Sequence, residues 1–382
     1  RGSHYRKSAR HRKHMIIAAE IVVIILMILG GAFWYMYHRT FGSMQKIDFN
    51  EDQVKNVNLS QEQIDDMKGY MTVACFGVDS RSEHGQMNVG KGTNADVNMI
   101  ANINLETGEI RLVSVFRDSY LNINDKNSYN KINAAYAQGG PEQAVKALNK
   151  NLGLNITQYA TFNWKAVADA INILGGVDVE LSDAEFSWIN AFITETVKET
   201  GIGSHQLTHA GNVHLDGIQA VAYGRIRYSD TDYARTERQR KIIAQAFEKS
   251  KKADFQTLYT LIGTVFPQVS TSVGVDDLVS NARNISKFHL GETTGFPQAR
   301  GDANMGKKGA VVVPATLESN VIELHKFLFG DEAYTPSDTV KKISAKIASD
   351  TGLYKEGKPV GDVGTDGGYI PKTTEAKKED KT

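Results

Sequence analysis

Residues 97–116 read VNMIANINLETGEIRLVSVF, two apolar runs rich in Val and Ile (97–103 and 110–116) on either side of Glu106-Thr107-Gly108-Glu109. Runs of this kind form strands, and the glycine between them supplies the positive φ that a hairpin turn needs. Upstream, 71–76 (MTVACF) is a third apolar run. Downstream, 132–138 and 141–152 have helical spacing, interrupted at Gly139-Gly140 and restarted by Pro141, a residue suited to the first turn of a helix. A strand follows at 157–162, then a helix at 164–174 closed by Gly175-Gly176, then the strand VDVEL. This alternation predicts a layered α/β/α domain around a mixed central sheet. The later part is more helical, with helices over 216–223, 235–250, 254–265, 275–287 and 315–328 and a strand at 309–313.

The chain has 382 residues, 41% hydrophobic, with 44 Lys+Arg against 44 Asp+Glu and one cysteine. That length allows one large or two ordinary domains, and the composition excludes a disordered or collagen-like chain. The lone thiol, Cys75, excludes an internal disulfide and a Cys-rich zinc site, and it reads as a core residue. Charge is unevenly placed: residues 1–14 hold six basic side chains and no acids, which leaves the remainder net negative by six. That balance is unsuited to nucleic acid. The first residue is Arg rather than Met, as expected of a piece of a longer or altered chain.

Residues 15–37, MIIAAEIVVIILMILGGAFWYMY, are apolar except for Glu20, which is near enough to the basic flank to snorkel. As a helix they reach about 35 Å, enough to cross a hydrocarbon core. Trp34, Tyr35 and Tyr37 suit the far interface, and the basic block predicts a cytoplasmic N-terminus with residues 38–382 outside. A cleaved signal peptide is disfavoured by the long core and the bulky residues that end it. The expected organisation is a basic tail (1–14), a single-pass anchor (15–37), an extracytoplasmic linker (38–69), a folded domain (70–330) and a largely disordered tail (331–382) rich in Lys, Asp, Thr and Gly.

Three segments carry candidate chemistry. In 225–241, RIRYSDTDYARTERQRK, Arg225 and Arg227 alternate on an extended stretch, and Arg235, Arg238 and Gln239 share a helical face. Converging guanidinium forks suit a pyrophosphate; a solvated charged helix, with Asp232 and Glu237 paired locally, fits the same pattern. Phe116-Arg117-Asp118-Ser119 follows a strand, where charged residues line the crevice of an α/β sheet. Gly77-Val78-Asp79-Ser80-Arg81 follows another strand, and Asp96 opens the next, so Asp79 and Asp96 either cap and turn the chain or together hold Mg²⁺. His205-Gln206-Leu207-Thr208-His209 has the spacing of a zinc-protease motif but Gln where its Glu must stand.

GVDSR (77–81), NAD (94–96), SVFRDSYL (114–121), KINAAYAQGG (131–140), LGGVDVEL (174–181), LDGIQAVAYGRIRY (215–228) and DYARTERQR (232–240) occur in that order behind one anchor. Together they resemble the LytR–CpsA–Psr family of membrane-anchored cell-wall proteins. The resemblance implies a phosphotransferase that moves a glycopolymer, such as teichoic acid or capsule, from an undecaprenyl-pyrophosphate carrier to a peptidoglycan hydroxyl, releasing undecaprenyl phosphate. It implies Asp79 and Asp96 as ligands of Mg²⁺ (or Mn²⁺), and Arg81, Arg117, Arg225, Arg227, Arg235, Arg238 and Gln239 as the grip on the pyrophosphate. Arg117, Asp118 and Arg227 would act at the reacting centre, and an apolar tunnel would take the prenyl chain. The implied surroundings are the cell membrane and peptidoglycan of a Gram-positive-type envelope. The alternative is a non-catalytic polyprenyl-phosphate-binding regulator of polymer export or cell-wall gene expression, which needs the arginines but not the metal pair. Three positions depart from the family pattern: Asn94 stands for a common Arg, Phe116 for a frequent Pro, and Ala234 for a frequent Gly.

Overall fold

The computed structural model describes residues 49–78, 92–227, 231–272 and 287–365. At its centre is a six-stranded sheet of β1 (Tyr70–Val78), β2 (Ala95–Asn104), β3 (Glu109–Val115), β6 (Gln158–Asn163), β9 (Val269–Thr271) and β10 (His289–Phe296), ordered β10-β3-β2-β1-β6-β9. The sheet is mixed: β2 is antiparallel to β1 and β3, whereas β6 and β10 run parallel to β1 and β3. Three two-stranded ribbons complete the strands, β4–β5 (Tyr120–Asn122, Tyr129–Lys131), β7–β8 (Val177–Leu181, Gly211–Leu215) and β11–β12 (Arg300–Asn304, Ala310–Pro314). The β2–β3 hairpin is the one anticipated from residues 97–116. Gly108 takes φ 82° in its turn, and the Asn104 side chain accepts the N–H groups of Glu106 and Thr107.

The helices are α1 (Glu51–Val54), α2 (Gln61–Asp66), α3 (Asn133–Leu152), α4 (Trp164–Ile173), α5 (Asp183–Thr200), α6 (Gly217–Arg225), α7 (Asp232–Lys252), α8 (Phe255–Val265), α9 (Leu317–Phe329) and α10 (Asp338–Thr351). The glycine break expected before Pro141 is a kink in α3, where Gly140 has φ 66° and ψ −157°. Helix α5 was not anticipated, although Ser182 and Glu185 form a reciprocal capping box at its start.

Side chains alternate across a strand, so each strand serves both faces of the sheet. Ala74, Phe76 and Val78 of β1, Ile100 of β2 and Val113 and Val115 of β3 join α3, α9 and α10 in the main core. Their neighbours Cys75, Gly77, Val97, Met99 and Leu112 line a cavity on the other face, closed by α4, α6 and α7. Gly77 is required there, since a Cβ on it would stand 2.9 Å from the Val97 side chain.

Two expectations are corrected. The linker read over 38–69 is folded where it is described: Val54 is 1% exposed, and Asn56 Nδ2 donates to the carbonyls of Asn149 and Leu154 at 2.7 and 3.0 Å. The tail read as disordered from Asp331 instead begins with a packed helix, α10, which places Val340, Ile343 and Ile347 in the main core. Tyr334 stacks on His325 with ring centroids 3.5 Å apart. Polar composition hid a helical recurrence of apolar residues at intervals of three and four. Residues 352–365 then run across the surface without regular secondary structure. The anchor at 15–37, nearly all of the helix read at 275–287, and residues 366–382 lie outside the described residues; among those described, no helix is long and apolar enough to cross a membrane.

If α10 belongs to the cooperative fold, Ile347→Ala should lower the unfolding free energy by about 2–5 kcal/mol in a urea titration. An unchanged midpoint would place that helix outside the fold.

Candidate functional site

The turn after β3 is set by Phe116. Its N–H donates to Phe296 O at 2.9 Å, and its ring fills the space at Gly295, where a Cβ would come within 2.3 Å of it. The ring also meets that of Tyr233 edge-on, with centroids 4.7 Å apart. Phe116 is thus a buried wedge rather than the common proline, and it brings Arg117 against the start of α7.

Arg117 lies among three carboxylates. Its Nη1 donates to Asp96 Oδ1 at 2.8 Å, and its Nε is 3.6 Å from Asp118 Oδ1 and 3.9 Å from Asp232 Oδ1. Burial opposes its charge, but Asp118, Asp96 and Asp232 together raise its pKa. Arg235, 4% exposed, pairs with Asp232 and donates through Nη2 to Asp96 O at 3.4 Å. Burial pushes the Asp232 carboxyl up and the Arg235 guanidinium down, each partly opposed by the other. Lys131, on β5, completes the group with its Nζ 3.3 Å from Asp118 Oδ1. Arg227 is exposed and within electrostatic reach of Arg235.

Among the described residues in contact here three acids face three cations, with Arg227 a fourth cation nearby, so an anion bound at the guanidinium groups would compete with the carboxylates. An anion arriving with a divalent cation would keep the balance. Carboxylates offer the oxygen ligands a hard cation prefers, but among the described residues no three His, Cys, Asp or Glu side chains are placed together to hold a metal ion; the buried Asp232 Oδ2 has no hydrogen-bond partner. Asp79 and Arg81 lie outside the described residues; Val78, the last one before them, pairs with Ala95, next to Asp96.

The remaining expected site residues are placed differently. Arg238, read as part of the pyrophosphate grip, is fully buried. Its Nε donates to Glu185 Oε1 at 2.7 Å, its Nη1 to Ile226 O at 3.0 Å, and its guanidinium carbon lies 5.7 Å from the Tyr223 ring centre. Arg225 donates to Thr196 Oγ1 at 2.8 Å and pairs with Glu199 at 2.7 Å. Both therefore tie α5 to the α6–α7 region. Gln239 donates to Gly224 O at 3.0 Å and lines the cavity. Asn94 is exposed, and Ala234 is buried in α7.

Lys131, Asp232 and Arg300 were not singled out as site residues from the sequence. Lys131 stands in the quoted KINAAYAQGG stretch, and Asp232 had been given the role of a local ion-pair partner, a role it also fills. Arg300 carries no motif; its guanidinium lies 3.8 Å from the Tyr233 ring centre and 5.2 Å from that of Phe116.

The cavity contains about 1110 Å³ of empty space, its opening to solvent included, and apolar side chains dominate its walls. Two elements lead from it to the charged cluster: β2, where Val97 follows Asp96, and α7, where Gln239 follows Arg235 by one turn. Burial pushes the Cys75 thiol in its wall up to about 12. The charged cluster and the apolar cavity are thus neighbours along β2 and α7.

The chain belongs to the LytR_cpsA_psr family, whose model matches residues 32–302. It is 27% identical over 273 residues to the polyisoprenyl-teichoic acid–peptidoglycan teichoic acid transferase TagU of Enterococcus faecalis, an alignment covering 71% of this chain and 82% of that one. TagU of Bacillus subtilis is 26% identical over 294 residues, 75% of this chain and 86% of that one. Among solved structures, the fold is similar to protein gbs0355 from Streptococcus agalactiae (TM-score 0.58, 22% identity, 73% of this chain and 94% of that one). It is also similar to TagT bound to LIIa-WTA (TM-score 0.51, 21% identity, 78% of this chain and 97% of that one).

Removing one partner of a buried ion pair leaves the other charge stranded, so Arg238→Ala should cost about 3–5 kcal/mol of stability. The double change Arg238→Met with Glu185→Leu should recover part of it, less what the lost Ser182–Glu185 cap and the bond to Ile226 O contribute, as read by thermal or urea unfolding. A ligand-binding role alone would leave stability unmoved in both.

Proposed function

We propose that this protein transfers a glycopolymer from an undecaprenyl-pyrophosphate carrier to a hydroxyl of peptidoglycan and releases undecaprenyl phosphate. One observation carries this reading: the cluster of Arg117, Arg235, Asp96, Asp118 and Asp232 is joined by β2 and α7 to an apolar cavity. The names of the relatives, polyisoprenyl-teichoic acid–peptidoglycan teichoic acid transferases, agree with it. The prenyl chain would occupy the cavity, with its pyrophosphate at Arg117, Arg235 and Arg227. The helix at 15–37 would anchor the protein with its folded part outside the membrane.

The acceptor hydroxyl would attack the sugar-side phosphorus, and the anhydride bond to the lipid phosphate would break. Arg117 and Arg235 would then stabilise the charge that grows on the phosphoryl oxygens and the departing lipid phosphate. Asp96, with Asp79, would hold Mg²⁺, which when bound supplies further charge neutralisation. Asp118 would receive the hydroxyl proton, its carboxylate oriented by Lys131 and Arg117.

The test uses the full chain in detergent with Mg²⁺, a synthetic undecaprenyl-pyrophosphate oligosaccharide and peptidoglycan oligomers. Mass spectrometry should show undecaprenyl phosphate together with a phosphodiester-linked oligosaccharide–peptidoglycan product. Arg117→Ala and Asp96→Asn should each lower product formation by about 100-fold or more. Lipid binding without product, across several donor sugars, would favour a regulator instead.

The cavity assignment has its own check. Ala246→Trp, which adds bulk to the wall, should weaken undecaprenyl pyrophosphate binding while leaving geranyl pyrophosphate almost unaffected. Equal losses for the two chains would remove the cavity from the proposal.

A further inference from the structure

Helix α7 presents two polar faces. One carries Arg235 and Gln239 toward the cluster and the cavity. The other carries Glu237, Arg240 and Lys241 toward the segment 352–365, which lies beyond the residues matched by the family model. There Arg240 Nη2 donates to Asp362 Oδ1 at 2.5 Å and Lys241 Nζ to Thr365 Oγ1 at 3.0 Å. The Glu237 carboxylate accepts the backbone N–H groups of Val363 and Gly364, the latter at 3.1 Å. Glu237 and Arg240 are consequently only 5% and 3% exposed.

The segment is fastened upstream as well. Gly357 N–H donates to Ala315 O at 2.6 Å and Val360 N–H to Gln298 O at 2.9 Å. Arg300 Nη1 donates to Val360 O at 3.1 Å while its guanidinium stacks on Tyr233 and approaches Phe116. Tyr233 and Phe116 are the chain neighbours of Asp232 and Arg117. Two routes therefore connect the segment to the charged cluster, one through α7 itself and one through Arg300.

Beyond Leu353, which packs against the main core, the contact is made by polar groups. Val360 and Val363 remain 47% and 45% exposed, so apolar burial adds little to it. Lifting the segment would uncover charged groups that water solvates well, so the contact specifies a position yet separates at modest cost.

We infer that residues 355–365 form a detachable strap that positions the first turns of α7, and with them Asp232 and Arg235, for the anionic head of the ligand. Glu237, Arg240, Arg300 and Asp362 are positioning residues in this scheme. The consequence for ligand binding rests on the proposed polyprenyl-pyrophosphate site; the effect on α7 does not.

The full chain in detergent would be compared with Asp362→Arg, Arg240→Asp and the double variant that exchanges the two charges. Hydrogen exchange would follow the amides of residues 232–241, and titration with farnesyl pyrophosphate and Mg²⁺ would follow affinity. Each single variant should exchange faster there and bind about tenfold more weakly, and the charge exchange should restore both. Single variants that exchange as slowly and bind as tightly as wild type would overturn the strap, as would a double variant that restores neither. Should the wild type itself not bind the lipid, the functional reading fails and the exchange data alone decide. Faster exchange reversed in the double variant supports the strap, and unchanged exchange removes it.

Discussion

Every strand of the central sheet must satisfy two faces at once, and the two are satisfied differently. Residues 74, 76 and 78 of β1 meet the densely packed side chains of α3, α9 and α10, whereas 75 and 77 look into a space that α4, α6 and α7 enclose without filling. An apolar cavity of this kind forfeits dispersion contacts, so the domain around it must draw stability from elsewhere. The main core does so by recruiting chain from both ends of the described structure, with Val54 before β1 and Val340, Ile343 and Ile347 after α9. The open face and the closed face are thus parts of one solution.

The helices enclosing the cavity are held by charge as well as by apolar packing. Arg238 and Glu185 form a fully buried pair that fixes α7 to α5, and Arg225, the last residue of α6, fixes that helix to α5 at Thr196 and Glu199. Such pairs add less to stability than their contact suggests, because desolvation offsets the attraction, but they admit few alternative arrangements. One turn away on the same helix, Arg235 shares Asp232 with Arg117. Along the first turns of α7 the arginine of the charged cluster, Arg235, thus alternates with the bracing one, Arg238.

That alternation explains what the sequence could and could not reveal. Spacing places Arg235, Arg238 and Gln239 on one helical face, and they do share it. Whether a guanidinium meets a ligand or a carboxylate depends on what lies opposite, and Glu185 sits on a helix that the linear pattern did not disclose. The β2–β3 hairpin was legible because Val- and Ile-rich apolar runs and a glycine turn are local signals. The Lys131–Asp118 contact, made between β5 and the turn after β3, is tertiary and left no local trace. Helix α10 was obscured by averaging, since few apolar residues stand among many polar ones and only their spacing betrays the buried face. Asp79 and Arg81 lie outside the described residues.

Cys75 is the chain's single sulfhydryl, and β1 sets it in the cavity wall. Burial keeps it protonated, so it is a poor nucleophile toward reagents in bulk solvent. An electrophile that labels this thiol must reach it through the cavity, and an occupant that fills the cavity would shield it. The molecule therefore carries a native chemical gauge of its own occupancy, readable by alkylation without an engineered probe.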